Sequence, residues 1–230
     1  MEQSDKIVLL INDKMKRLLL ITFLSVSVLT GYSQQDKKAK EILEKVTKTT
    51  QSLPSLEARF SFEMNNKAKN IQEKNEGTII LKDKKYKLNI PKMGLQITCD
   101  GKTIWTYMVN SNEVNISNLD DSTDDLMDPS KIFTIYERGF NYKFVDESVD
   151  GGVPVYTIDL VPQKPTGDIQ TIRIMIDKQK NLIHGANMTG KDGNKYRVTI
   201  NQFKTDGIYA DSDFVFDPAK YKGVEVVDMR

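Results

Sequence analysis

The sequence predicts a mainly β protein with some helix. It reads as a strongly curved antiparallel sheet, an incomplete, half-open barrel of about 10–11 strands whose hydrophobic cavity is covered by short helices. Three observations predict it. Residues Gly77 to Ser117 alternate apolar and polar side chains through a meander centred on an Asp-Gly turn. Similar period-two runs recur along the chain with turn residues between them, and short connections between neighbouring strands mean up-and-down antiparallel order. Past the amino-terminal leader, helical spacing is confined to two short segments, too little to cover so many strands as a flat layer. Curving the sheet and laying the helices across its mouth solves that problem.

The amino-terminal residues 1–33 stand apart as an export signal. Met15-Lys16-Arg17 is a short basic region, and Leu18 to Leu29 is an apolar run too short to span a bilayer comfortably. Small residues at Gly31 and Ser33 place cleavage before Gln34, and the acidic Glu2, Asp5 and Asp13 make Met15 a better start than Met1. A lipidated protein needs a cysteine after Leu-Thr-Gly; Tyr32 stands there instead, so lipidation is not expected. Residues 34–230 then form a single domain, long enough to bury a core.

Asp36 to Leu53 has a helical pattern, with Ala39, Ile42, Leu43, Val46, Thr50 and Leu53 on one face, Asp36 as N-cap and Pro54 beyond the end. The first strand follows: Leu56, Ala58, Phe60, Phe62 and Met64 alternate with polar residues. Tyr86, Leu88 and Ile90 repeat the pattern, as do Ile172, Ile174 and Ile176, and Tyr196, Val198 and Ile200. Turns are expected at Asp100-Gly101, Asn110 to Asn112, Asp150-Gly151-Gly152, Thr166-Gly167-Asp168, Lys178 to Asn181 and Lys191-Asp192-Gly193. Asp120 to Asp125 reads as an acidic turn, and Asp128 to Arg138 as a second short helix with Pro129 at its first position.

Composition narrows the function. Removing the leader takes four of 33 basic and three of 32 acidic residues, leaving the mature chain neutral, so no net field favours nucleic acid. A local basic patch around Lys82, Lys84, Lys85 and Lys87 reads as a solvated strand edge. Cys99, the single cysteine, lies on the apolar side of a strand and reads as a buried hydrophobe. His184 is the single histidine and has no second histidine or cysteine to complete a metal site. The aspartates from Asp120 to Asp128 lack the spacing and glycine of a calcium loop, and neither a nucleophile elbow nor a phosphate-cradling glycine loop is present. No cofactor, metal or catalytic residue is therefore expected.

The run from Gly77 to Ser117 resembles the outer-membrane lipoprotein carrier protein (LolA) family. The matching residues are Gly77, Leu81-Lys82, Tyr86-Lys87-Leu88, Pro91, and Ile97 to Tyr107 with its Asp-Gly-Lys-Thr-Ile-Trp-Thr-Tyr sequence. Phe214-Val215-Phe216-Asp217-Pro218 and Gly223 to Asp228 match the family's end. The resemblance implies a soluble periplasmic carrier that takes acylated lipoproteins from an inner-membrane ABC exporter to the outer membrane, with an outer-membrane acceptor as a further partner. A monomer is expected. The cavity and lid would use Phe60, Phe62, Leu81, Tyr86, Leu88, Ile97, Trp105, Tyr107, Ile132, Phe133, Ile174 and Ile176. Lys82 stands where the family often has an arginine that holds the lid closed, and so is assigned to lid control. Three alternatives remain open: a carrier or sensor of free lipid on the same fold, a hydrolase built around His184, and an interaction domain with a packed interior.

Overall fold

The computed structural model describes residues 37–119, 136, 139–163 and 169–230. The leader, the acidic turn, nearly all of the second helix and the Thr166-Gly167-Asp168 turn lie outside them. Helix α1 spans residues 37–52. Twelve strands follow: β1 Leu56–Asn66, β2 Ile71–Lys82, β3 Lys85–Ile90, β4 Leu95–Cys99, β5 Thr103–Met108, β6 Glu113–Asn118, β7 Phe140–Asp150, β8 Val153–Pro162, β9 Ile169–Asp177, β10 Leu182–Gly190, β11 Lys195–Lys204 and β12 Glu225–Asp228.

All twelve belong to one sheet, in the order β12-β6-β5-β4-β3-β2-β1-β11-β10-β9-β8-β7. β12 and β7 are its two edges, so the sheet is open. Two meanders, β1 to β6 and β7 to β11, meet where β1 pairs with β11. The expectation of uniformly antiparallel order is corrected at one edge, where β12 runs parallel to β6. The chain reaches that edge from β11 through residues 205–224, a strap whose Phe216 and Tyr221 pack against Tyr107 on the outer face of the sheet.

Tight turns fall at the expected glycines and asparagines. Asp100 caps its own turn, its carboxylate accepting from the backbone N–H groups of Lys102 and Thr103 at 2.9 and 2.8 Å. Gly101 then adopts φ 93°, a conformation that glycine enters at no steric cost.

The core lies on the concave face. Side chains of directly paired residues share a face, so the register links Leu56, Ala58 and Phe60 of β1 with Leu81 and Ile79 of β2, Leu88 and Tyr86 of β3, and Ile97 and Cys99 of β4. Ile172, Ile174 and Ile176 of β9 face the same side, opposite Met188, Ala186 and Ile183 of β10. Across this face lies α1, which buries Ala39, Ile42, Leu43 and Val46 in the same cluster. Its stripe is the one the sequence predicts, and packing rather than helix propensity stabilises a helix of this length.

Candidate functional site

The concave face has two halves. Under α1 the apolar residues of β1, β2, β3 and β8 to β11 are sealed, with Leu88, Ile174 and Ile176 at 0% exposure. Toward β4 and β5 the same face is mixed: Cys99 and Ile104 are buried, whereas Leu81, Leu95, Ile97 and Met108 are half-buried. Phe62 is half-buried on β1 and stacks against Tyr196 at a ring separation of 5.9 Å. Beside α1 runs an open groove of ≈ 780 Å³, whose lining includes Leu43, Thr47, Gln51, Tyr136 and Tyr142. That volume falls within the roughly 300–1,000 Å³ of ordinary small-ligand sites. The Tyr136 hydroxyl lies 3.1 Å from Thr47 Oγ1, tying the residue to α1.

Eight of the predicted cavity residues share this face: Phe60, Phe62, Leu81, Tyr86, Leu88, Ile97, Ile174 and Ile176. Ile132 and Phe133 lie outside the described residues. Trp105 and Tyr107 are corrected: they occupy the opposite, outer face. Ile97 pairs with Thr106, which sends the odd-numbered residues of β5 outward. There Tyr107 packs with Val114 and Phe216, and Trp105, Tyr221 and Val224 lie against them. Strap residue Phe216 stacks on Tyr221 at 4.5 Å, and both rings lean on Tyr107.

Lys82 is corrected as well. It follows inward-facing Leu81 and therefore points outward, where its ammonium donates to the Tyr209 carbonyl at 2.8 Å and to Asp211 at 2.9 Å. Lys85 reaches the other Asp211 oxygen at 2.7 Å. These two lysines hold the strap, so the expected solvated strand edge is corrected: β2 and β3 are interior strands, and Lys82 and Lys85 are paired with Asp211. Their ammoniums, Lys85 first, pull the Asp211 carboxyl down to about 2. The Tyr209 hydroxyl donates to Glu57; burial, then this carboxylate, pushes its pKa up to about 12. Ser55 Oγ donates to the Gly207 carbonyl at 2.7 Å inside the fold.

A second polar knot sits at the amino end of α1. Lys38 and Lys178 both place their ammoniums 2.6 Å from Glu147, which holds that carboxyl down to about 2. Lys38 also lies 4.0 Å over the Phe144 ring, a cation–π contact that seats α1 on β7.

His184 falls at an irregularity of β10, where the register with β9 shifts. Its Nε2 is buried and 3.4 Å from Asp150, without hydrogen-bond geometry, and Asp150 is itself held by Arg197 at 2.9 Å. Among the described residues no group of three acidic, histidine or cysteine side chains is placed to hold a metal. Cys99 is buried, as the sequence predicts.

Sequence reasoning missed the aromatic rim of the groove and the residues that grip the strap. Tyr142 does alternate with Phe140 and Phe144 in its strand, a signal that finds it. The pairing of Lys82 with Asp211 across 129 positions has none.

The sequence profile of the family described as "Outer membrane lipoprotein carrier protein LolA" matches residues 51–217, from the end of α1 through most of the strap. No curated protein matches the chain. Among solved structures, an uncharacterized conserved protein from Thermus thermophilus superposes with a TM-score of 0.58 at 13% identity, covering 83% of this chain and 99% of its own. At that identity the likeness establishes the fold. A LolA superfamily protein from Nitrosomonas europaea gives a TM-score of 0.45 at 11% identity, with 77% and 97% covered. Lipoprotein LppX from Mycobacterium tuberculosis gives 0.44 at 11% identity, with 76% and 98% covered.

Proposed function

We propose, from the premise that the chain belongs to the outer membrane lipoprotein carrier protein LolA family, that it is a non-enzymatic periplasmic carrier. It binds the acyl chains of lipoproteins on its concave face and moves them from an inner-membrane ABC exporter to the outer membrane. In this reading the leader 1–33 is removed on export and the mature protein works as an unlipidated monomer. The observation that carries it is the concave face itself: an apolar surface across β1 to β4 and β8 to β11, covered by the amphipathic helix α1 over one part and half-buried at Phe62, Leu81, Leu95 and Ile97 over another.

The energetics suit a carrier. Each buried methylene contributes about 0.8 kcal/mol, so one long acyl chain does not cross water unaided at a useful rate. Binding that must displace α1 gives back part of that gain, which keeps the cargo releasable. Phe62, Leu81 and Ile97 meet the chain first in this scheme. Phe60, Leu88, Ile174 and Ile176, in the cluster that α1 covers, become available as α1 moves, and Tyr86 lines the neighbouring cluster with Cys99 and Ile104; Ile132 and Phe133 are assigned to the lid in this reading.

A second reading, a carrier or sensor of free lipid, is favoured by the groove beside α1, whose lining holds Lys48 and the Lys40–Glu44 pair at 3.8 Å and so suits a zwitterionic headgroup. Native mass spectrometry of the protein purified from its own periplasm separates the two. Acylated lipoprotein bound one to one is the expected result. Free lipid alone moves the function to the second reading. An empty protein that also ignores added lipopeptide overturns both.

A further inference from the structure

The hairpin loops at one end of the barrel form a surface with its own chemistry. Strand directions bring the β1–β2, β3–β4, β5–β6 and β10–β11 loops to the same end. These four connections, 67–70, 91–94, 109–112 and 191–194, carry Lys67, Lys69, Lys92 and Lys191 against the single acid Asp192, which lies 3.8 Å from Lys69. All four lysines are exposed. At the other end, lysines and acids alternate and pair: Lys178 with Glu147, Lys180 with Asp177, Lys82 and Lys85 with Asp211. Among the described residues these four connections carry four lysines to one acid, a net positive charge.

Two large apolar side chains stand among those lysines, Met93 at 47% exposure and Val109 at 44%. Their loops are joined: the Val109 N–H donates to the Gly94 carbonyl at 2.8 Å. Lys92 braces the same loop by donating to the Lys74 carbonyl at 2.8 Å. Just inside the rim, Leu95 and Met108 pair on the concave face, and both are half-buried. An apolar track therefore runs from Ile97 and Leu95 out to Met93 and Val109, ending in a ring of ammonium groups.

We propose that this rim docks on the surface of an anionic lipid bilayer, the lysines meeting headgroup charge while Met93 and Val109 enter the interfacial layer. Basic residues around exposed apolar ones combine electrostatic attraction with shallow burial, and neither alone gives lasting attachment. The proposal rests on the carrier reading for its purpose: docking there sets the open end of the apolar track against the membrane that receives or yields the acyl chain. A neutral bilayer offers no partner for the lysines, and a wholly polar acidic surface offers none for the apolar pair.

The test is co-sedimentation of the protein, expressed with its own leader and recovered from the periplasm, with phosphatidylglycerol–phosphatidylcholine vesicles and with pure phosphatidylcholine vesicles. Binding is expected to the anionic vesicles alone and to weaken with salt. Reversing Lys67, Lys69, Lys92 and Lys191 to Glu is expected to lower it about 100-fold or more, since each basic residue near such a surface contributes several-fold. Met93→Ser with Val109→Ser lowers it about tenfold. Lys84→Glu with Lys102→Glu, at the opposite end, leaves it unchanged, and circular dichroism checks that every variant is folded. No vesicle binding, equal binding to both vesicle types, or equal loss from the opposite-end variant overturns the proposal. Binding of a fluorescent acyl probe is read in parallel: retained while vesicle binding is absent, it leaves the carrier reading standing and removes the rim; absent in the wild type, it removes the carrier reading itself.

Discussion

Gly77 shows how one residue serves the concave face by having no side chain. A Cβ there would sit 2.6 Å from Phe60 Cζ and 2.8 Å from the Asn89 carbonyl oxygen, because the Phe60 ring lies over the glycine backbone. Gly77→Ala must push that ring or the β3 backbone aside, and overpacking of this kind costs about 1–3 kcal/mol, measurable as a lower urea midpoint. Asp211 is the other informative residue. Its carboxyl is lowered from 3.8 to about 2 by Lys85 and Lys82. A depressed carboxylate adds stability above its ordinary pKa and loses it as pH falls through the folded value. The strap should hold at pH 5 and loosen between about pH 4 and 2, seen as loss of hydrogen-exchange protection at Asp213 and Val215; Asp211→Asn should remove that pH step. Residues also mark where sequence reading stops. Period two fixed that Trp105 and Tyr107 share a face, but β5 is apolar on both faces, with Ile104 and Met108 opposite. Which face turns inward is set by pairing with β4 and by a strap joined much later in the chain, and neither leaves a local trace.

At the scale of elements, α1 was legible to within one residue at its end, residue 52 against the expected Leu53, because its stripe of Ala39, Ile42, Leu43 and Val46 has the helical period and one apolar neighbour to bury against. Most strands were legible for the same reason, each having one wetter face; β5, apolar on both faces, and β10, with no exposed residue, are exceptions. β12 was not: four residues, three of them exposed, give no pattern, and its parallel pairing depends on the crossover before it. If α1 is the removable cover, stability and binding should move in opposite directions. Leu43→Ala should lower unfolding stability by about 2–5 kcal/mol and yet raise affinity for an acyl probe, because less helix packing opposes entry. A fall in both would make α1 part of the binding surface instead of its cover.

For the whole molecule, the decisive contact is the seam between the two meanders, where Phe60 meets Ile200 and Phe62 meets Val198. It joins residues about 140 positions apart, and pairing so distant in sequence makes folding slow. A chain truncated before Lys195 loses β11, leaving β1 and β10 without their central neighbour. It should show no cooperative unfolding transition by circular dichroism, whereas removal of β12 alone should leave one.

That seam also bears on how the protein reaches its place of work. α1 and β1 emerge first from any channel that threads the chain from its amino end, but the surfaces they need, on β9, β10 and β11, emerge almost last. Until then α1 has little of its apolar stripe covered and the sheet has no centre. In the exported carrier proposed above, this topology would act as a timer: it would keep the polypeptide threadable during passage and let it close only when nearly all of it has arrived.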